Sequence, residues 1–89
     1  MNTEIYDLIP TNGRKSFYGK AKVIIQGGDK FLKSYDTIHC MVDKFGNVHR
    51  FSDYKSNTTC THLKSFLGDN YNGYWEREIE VKPVILIMM

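Results

Sequence analysis

The sequence predicts a small α+β domain, an antiparallel sheet of four to five strands with one amphipathic helix on one face, in the order β-β-β-β-α-β. Three observations predict it. Between Lys15 and Ser52, apolar and β-branched residues alternate with polar ones, and glycine- or aspartate-rich breaks separate the runs. From Thr58 to Leu67 the apolar spacing changes to threes and fours, the period of one helical face. The 89 residues, 42% of them hydrophobic, suffice for one core, so residues 1–89 read as a single domain with its core over about 14–82.

The opening segment, residues 2–13, ends in Pro10-Thr11-Asn12-Gly13, a turn by composition. Lys15–Gln26 reads as a half-buried strand, with Phe17, Gly19, Ala21, Val23 and Ile25 on one side. Gly27-Gly28-Asp29 supplies the positive-φ positions of a tight hairpin, and Lys30–Tyr35 forms its return strand. Thr37–Val42 is a third strand, Ile38, Cys40 and Val42 facing one way and Thr37, His39 and Met41 the other. After the polar loop Asp43–Asn47, Val48–Ser52 resumes extended character. Ser56, Asn57, Thr58 and Thr59 are N-capping residue types standing before an apolar set, and they open a helix over about Thr58–Leu67 that buries Leu63, Phe66 and Leu67. Gly68 closes that helix. Beyond a turn-rich linker, Trp75, Arg77, Ile79 and Val81 alternate with Glu76, Glu78 and Glu80, which predicts a closing strand.

Composition narrows function more than it names one. A formal charge of +2 is too small for a purely electrostatic nucleic-acid binder and has the wrong sign for an acidic DNA mimic. Cys40 and Cys60 have no C-x-x-C spacing, and His39, His49 and His62 complete no zinc pattern, so neither a metal nor another cofactor is expected. The first ten residues lack the basic start and apolar stretch of a secretory signal, and the apolar run 83–89 is too short to span a membrane, so a cytoplasmic protein is expected. The run at 83–89 must nevertheless be covered, either as a last core strand or against a second copy in a homodimer or another protein.

Local constellations carry the candidate sites. Between positions 14 and 33, six cations stand against Asp29 alone, with aromatics interleaved. Lys15, Lys20, Lys22 and Lys33 can meet phosphates while Tyr18 and Tyr35 stack on bases, the pattern of a single-stranded nucleic-acid platform. The bland reading is a solvated strand face whose lysines discourage aggregation. Near the other end, Tyr74 and Trp75 with Glu76 and Glu78 form an aromatic-acidic group suited to a protein partner, to which Lys20 and Lys22 add a basic counterpart. A Cys-His nucleophile is disfavoured, because alternation turns His39 away from Cys40, and two helical positions separate His62 from Cys60. The chain is therefore expected not to be an enzyme.

The blocks Arg14-Lys15-Ser16-Phe17-Tyr18-Gly19-Lys20-Ala21, Leu32-Lys33-Ser34-Tyr35-Asp36-Thr37-Ile38 and Tyr54-Lys55-Ser56-Asn57-Thr58-Thr59, with His62 and Phe66-Leu67, resemble a family of short proteins from phages and mobile elements of Firmicutes. The chain departs from that pattern at Thr61, where an arginine commonly precedes the histidine. The resemblance implies a setting in which small proteins inhibit host machinery, anti-CRISPR proteins that block a Cas effector among them. The expectation is thus a non-enzymatic protein that binds and inhibits a host protein complex. The alternative is a small nucleic-acid-binding module built on the basic amino-terminal hairpin.

Overall fold

A computed structural model of the chain describes residues 3–11, 13 and 15–81; the apolar run 83–89 lies outside them. Five antiparallel strands form one meander sheet: β1 (Thr3–Asp7), β2 (Ala21–Gln26), β3 (Asp29–Ser34), β4 (Thr37–Val42) and β5 (Val48–Arg50), neighbours in space as in sequence. Helix α1 (Asn57–Leu67) packs on one face. The predicted α+β architecture is therefore present, with five strands, although all five precede the helix.

The β2–β3 hairpin turns through Gly27 and Gly28 at φ 62° and 88°, so both central positions need the left-handed region and glycine supplies it at no steric cost. The β3–β4 turn is equally tight, with Ser34 opposite Thr37, but its first central residue is Tyr35 at φ 54°. In the loop before β5, the Asp43 carboxylate accepts from the amides of Phe45 and Asn47, which closes the turn without a proline.

Ser56 caps α1 by accepting from the Thr59 amide, and Gly68 ends it with its own amide donating to the Lys64 carbonyl. The helix lays Leu63 and Leu67 on Ala21, Val23, Leu32 and Cys40 of the sheet. Phe66, predicted as core, is only half-buried. Ile24 and Phe31 are also buried, but on the opposite face, where Ile5, Ile24, Phe31 and Met41 lie in one cross-strand row.

Three expectations are corrected. The opening segment contains a strand, β1, which pairs with all of β2 except Ala21 although each of its residues is exposed. Lys15–Lys20 is not strand: the Lys20 amide bonds the Phe17 carbonyl in a reverse turn through Tyr18 and Gly19, both at positive φ. The predicted closing strand is replaced by a 3-10 turn over Tyr74–Glu76 and a single parallel bridge between Arg50 and Ile79. The alternation there is genuine but finds no face to bury, since Ile79 and Val81 are 51% and 95% exposed.

Candidate functional site

Two turns meet at one end of the sheet. The Tyr35 amide donates to the Lys20 carbonyl at 2.7 Å, which ties the Phe17–Lys20 turn to the β3–β4 turn. Each turn places a tyrosine where glycine is favoured, Tyr18 at φ 55° and Tyr35 at φ 54°, and these are the non-glycine residues at positive φ in the described chain. Left-handed backbone costs an L-residue roughly 1–2 kcal/mol because its Cβ crowds the carbonyl oxygen. The Tyr18 ring receives little burial in return, at 79% exposed, while Tyr35, at 45%, is about half covered. Backbone strain retained without a packing gain is characteristic of functional positions.

Behind the two rings lies a buried polar core. The Ser34 hydroxyl sits 2.8 Å from His62 Nδ1 and 3.5 Å from the Thr59 hydroxyl, and Ser56 donates to Thr59 at 3.1 Å. The His62 ring packs edge-on against Phe17, centroids 4.7 Å apart, and against Tyr35 at 5.8 Å. A cavity of about 100 Å³ opens beside it, lined by Phe17, Asn57, Thr58, Thr61 and His62. Sequence reasoning missed the His62–Ser34 pair. The available signal was that Thr59 and His62 are three apart on the helix, but their partner comes from a different strand.

Of the lysines assigned to the nucleic-acid reading, Lys15 and Lys20 are exposed in or beside the Tyr18 turn. Lys33 is half-buried, with Asp36 3.8 Å away. Lys22 is committed elsewhere: it pairs with Asp7 on β1 and points to the sheet face away from the helix. The structure thus brings Tyr18, Tyr35, Lys15 and Lys20 to one end, whereas Lys33 stands directly opposite Lys22 across the β2–β3 ladder and shares its sheet face, outside that group.

The residues assigned to a protein partner are not gathered. Tyr74 is fully buried, which corrects its expected role as a surface contact. Its phenol reaches His39 Nδ1 at 2.6 Å and lies 3.2 Å from the His39 carbonyl oxygen. A register shift between β3 and β4, where Leu32 pairs with Cys40 but Lys33 with Ile38, leaves His39 as an extra residue and lets it turn inward, like Cys40, to meet the Tyr74 phenol. Strict alternation therefore fails at His39. His39 Nε2 donates to the Tyr54 carbonyl at 2.8 Å, which leaves Nδ1 as the acceptor for the phenol, and burial holds the imidazole below its ordinary proton affinity. Burial also pushes the Cys40 thiol up to about 12, so it stays protonated and unreactive at neutral pH.

Trp75 is half-buried, with the Arg50 guanidinium and the Lys55 ammonium each 5.0 Å from its ring centroid. Arg50, 9% exposed, donates to the carbonyls of Ser52, Trp75 and Arg77 and so staples the carboxyl-terminal segment to the sheet. Glu76 and Glu78 remain exposed beside it. Lys20 and Lys22 lie toward the β1–β2 side of the meander and Arg50 on β5, so the basic and acidic-aromatic groups cannot form one patch.

A surface cluster completes the inventory. His49 bridges Asp43, 2.8 Å from Nε2, and Glu80, 3.0 Å from Nδ1. Its hydrogen bonds to Asp43 and then Glu80 raise the imidazole's proton affinity, and His49 in turn holds Asp43 down at about 2. Both ring nitrogens are spent on carboxylates, and among the described residues no group of His, Cys, Asp and Glu is arranged to hold a metal. Nor is any helix among them long and apolar enough to cross a membrane.

No curated protein and no solved structure matches the chain. A family model does match, over residues 6–80, a span that takes in β2 to β5, the helix, both tyrosine turns and the Arg50 staple. On that match the chain belongs to DUF8033, a family of unknown function.

Proposed function

We propose that this protein is a non-catalytic binding module whose ligand is single-stranded nucleic acid, held at the end of the sheet that carries Tyr18 and Tyr35. The observation that carries this reading is the pair of tyrosines, both at positive φ, both exposed, and joined by the bond from the Tyr35 amide to the Lys20 carbonyl. An exposed aromatic ring accepts any base by stacking, worth about 1–3 kcal/mol per base, and needs no edge-specific contact. Lys15 and Lys20 supply charge for the backbone, and the small net charge of +2 fits a local patch better than a whole-surface field.

Fluorescence anisotropy with a labelled oligothymidine tests it. Wild-type protein should bind at low salt, with a log–log salt slope of about −1.4 for two phosphate contacts on a single strand. Replacing both tyrosines by alanine should weaken binding by roughly 10-fold or more. Absence of binding at low salt contradicts the reading.

The second reading is a phage or mobile-element protein that binds and inhibits a host protein complex, such as a Cas effector. It is supported by Glu76 and Glu78, exposed beside the half-buried Trp75. Its contact set is reduced to Trp75, Glu76 and Glu78, because Tyr74 is in the core, Lys22 is paired with Asp7 and Lys20 stands in the Tyr18 turn. Charge reversal at Glu76 and Glu78 would abolish capture of such a partner while leaving oligonucleotide binding intact, which separates the two readings.

A further inference from the structure

We propose that β1 is a homodimer contact, through which two copies pair edge to edge about a two-fold axis into one continuous sheet. The sheet has two edges, and they are not equivalent. Strand β5 is three residues long, and Arg50 is bridged to Ile79, with the Glu80 amide donating to the Arg50 carbonyl at 2.7 Å. Strand β1 has five residues and, among the described residues, no neighbour on its outer side. Of the devices that protect a free edge it has no proline, no lysine and no bulge; its charges are Glu4 and Asp7, and Asp7 is neutralised by Lys22. Ile5 and Tyr6, at its centre, are 46% and 44% exposed.

The ladder fixes which backbone groups are available. The Leu8 amide donates to the Ala21 carbonyl, so Leu8 and Ala21 are a hydrogen-bonded pair. Bonded and non-bonded pairs alternate along an antiparallel ladder, so Tyr6 and Glu4 also bond inward to Val23 and Ile25. Thr3, Ile5 and Asp7 are left with N–H and C=O groups directed away from the sheet. Self-pairing with Ile5 opposite Ile5 of the second copy aligns all three outward residues, Thr3 facing Asp7 and Asp7 facing Thr3.

That register also suits the side chains. Glu4 falls opposite Tyr6 and Asp7 opposite Thr3, so each acid meets a hydroxyl and no like charges oppose one another. Asp7 is already paired with Lys22 of its own chain. On the face away from the helix, the two Ile5 side chains meet and extend the row of Ile24, Phe31 and Met41 across the axis. A shift by one residue would set outward backbone groups against inward ones, and a shift by two would leave one of the three outward residues of each copy unpaired.

Sedimentation across a concentration series tests the proposal on the full chain. The mass should rise from 10.4 kDa toward twice that value. Ile5→Pro removes an amide that β2 does not use, so this variant should keep its far-UV circular dichroism and remain monomeric. Ile5→Cys, in a Cys60→Ser background, should form a covalent dimer on mild oxidation, because a hydrogen-bonded antiparallel pair has Cα atoms about 5.5 Å apart, within disulfide reach. Glu4→Cys in the same background should not, since its symmetry mate is displaced along the strand. A wild-type chain that stays monomeric at about 1 mM overturns the proposal, as does an Ile5→Pro variant that dimerises like wild type. Should Ile5→Pro fail to fold, the two cysteine variants decide: equal cross-linking at positions 4 and 5, or none at 5, overturns it.

Discussion

Tyr18 and Tyr35 hold backbone conformations that a glycine would adopt without strain, and this sets stability against binding at single residues. Tyr18→Gly relieves roughly 1–2 kcal/mol of left-handed strain and gives back roughly 0.5–1 kcal/mol through the greater entropy of the unfolded chain. Urea denaturation should therefore show equal or slightly higher stability for the variant, while its oligonucleotide affinity falls. A clear loss of stability would mean that the exposed ring packs more than its 79% accessibility implies. The same scale separates the two thiols. Cys40 is buried with its proton affinity pushed up to about 12, whereas Cys60 is half-buried. An aromatic disulfide reagent should titrate Cys60 in the native protein and reach Cys40 only on unfolding. Neither tyrosine's conformation was legible beforehand. Tyr18 fitted an alternating strand pattern, and only the glycine beside it marked the turn.

At the scale of elements, legibility followed how local the determining interactions were. The helix came within one residue of its observed start because Ser56 and Gly68 encode its caps in place, and the β2–β3 hairpin was readable in two consecutive glycines. Strand β1 was missed because an edge strand exposed along its length carries no apolar alternation; its evidence is the β2 ladder itself. The false closing strand had alternation without a burying face, and the true anchor of that segment is Arg50, whose three carbonyl partners no local pattern announces. Arg50→Ala should destabilise the fold by about 2–4 kcal/mol, because three part-buried charged hydrogen bonds to carbonyls are lost together with the packing on Trp75 and Tyr74. Hydrogen exchange should show residues 74–80 losing protection first. Ser56→Ala should cost about 1 kcal/mol in a thermal melt through loss of the N-cap, and more if the Thr59 hydroxyl is left unpaired in the core.

For the molecule as a whole, stability should vary with pH through two histidines of opposite sign. Proton affinity at His49 is raised above its ordinary 6.5, so its contribution is complete below 6.5 and lost as pH rises through the higher folded value. Asp43, held at about 2 against an ordinary 3.8, contributes above 3.8 and loses that contribution as pH falls through about 2. The Asp43–His49–Glu80 clasp is therefore strongest between those ordinary values. His39 works the other way: its lowered proton affinity favours the folded state above 6.5 and withdraws that support as pH falls. Comparing wild type with His49→Gln isolates the clasp, and the difference in melting temperature should be largest near pH 5 and shrink above neutrality. A constant difference across that range would remove the clasp from the account.

The sheet's tyrosine-bearing end is the centre of the functional reading, and amide chemical shifts recorded during titration with an oligothymidine test it most directly. Perturbations should cluster at residues 15–20 and 33–37, with smaller changes at His62 behind them. Perturbations centred on residues 75–80 instead, or none at low salt, would contradict it.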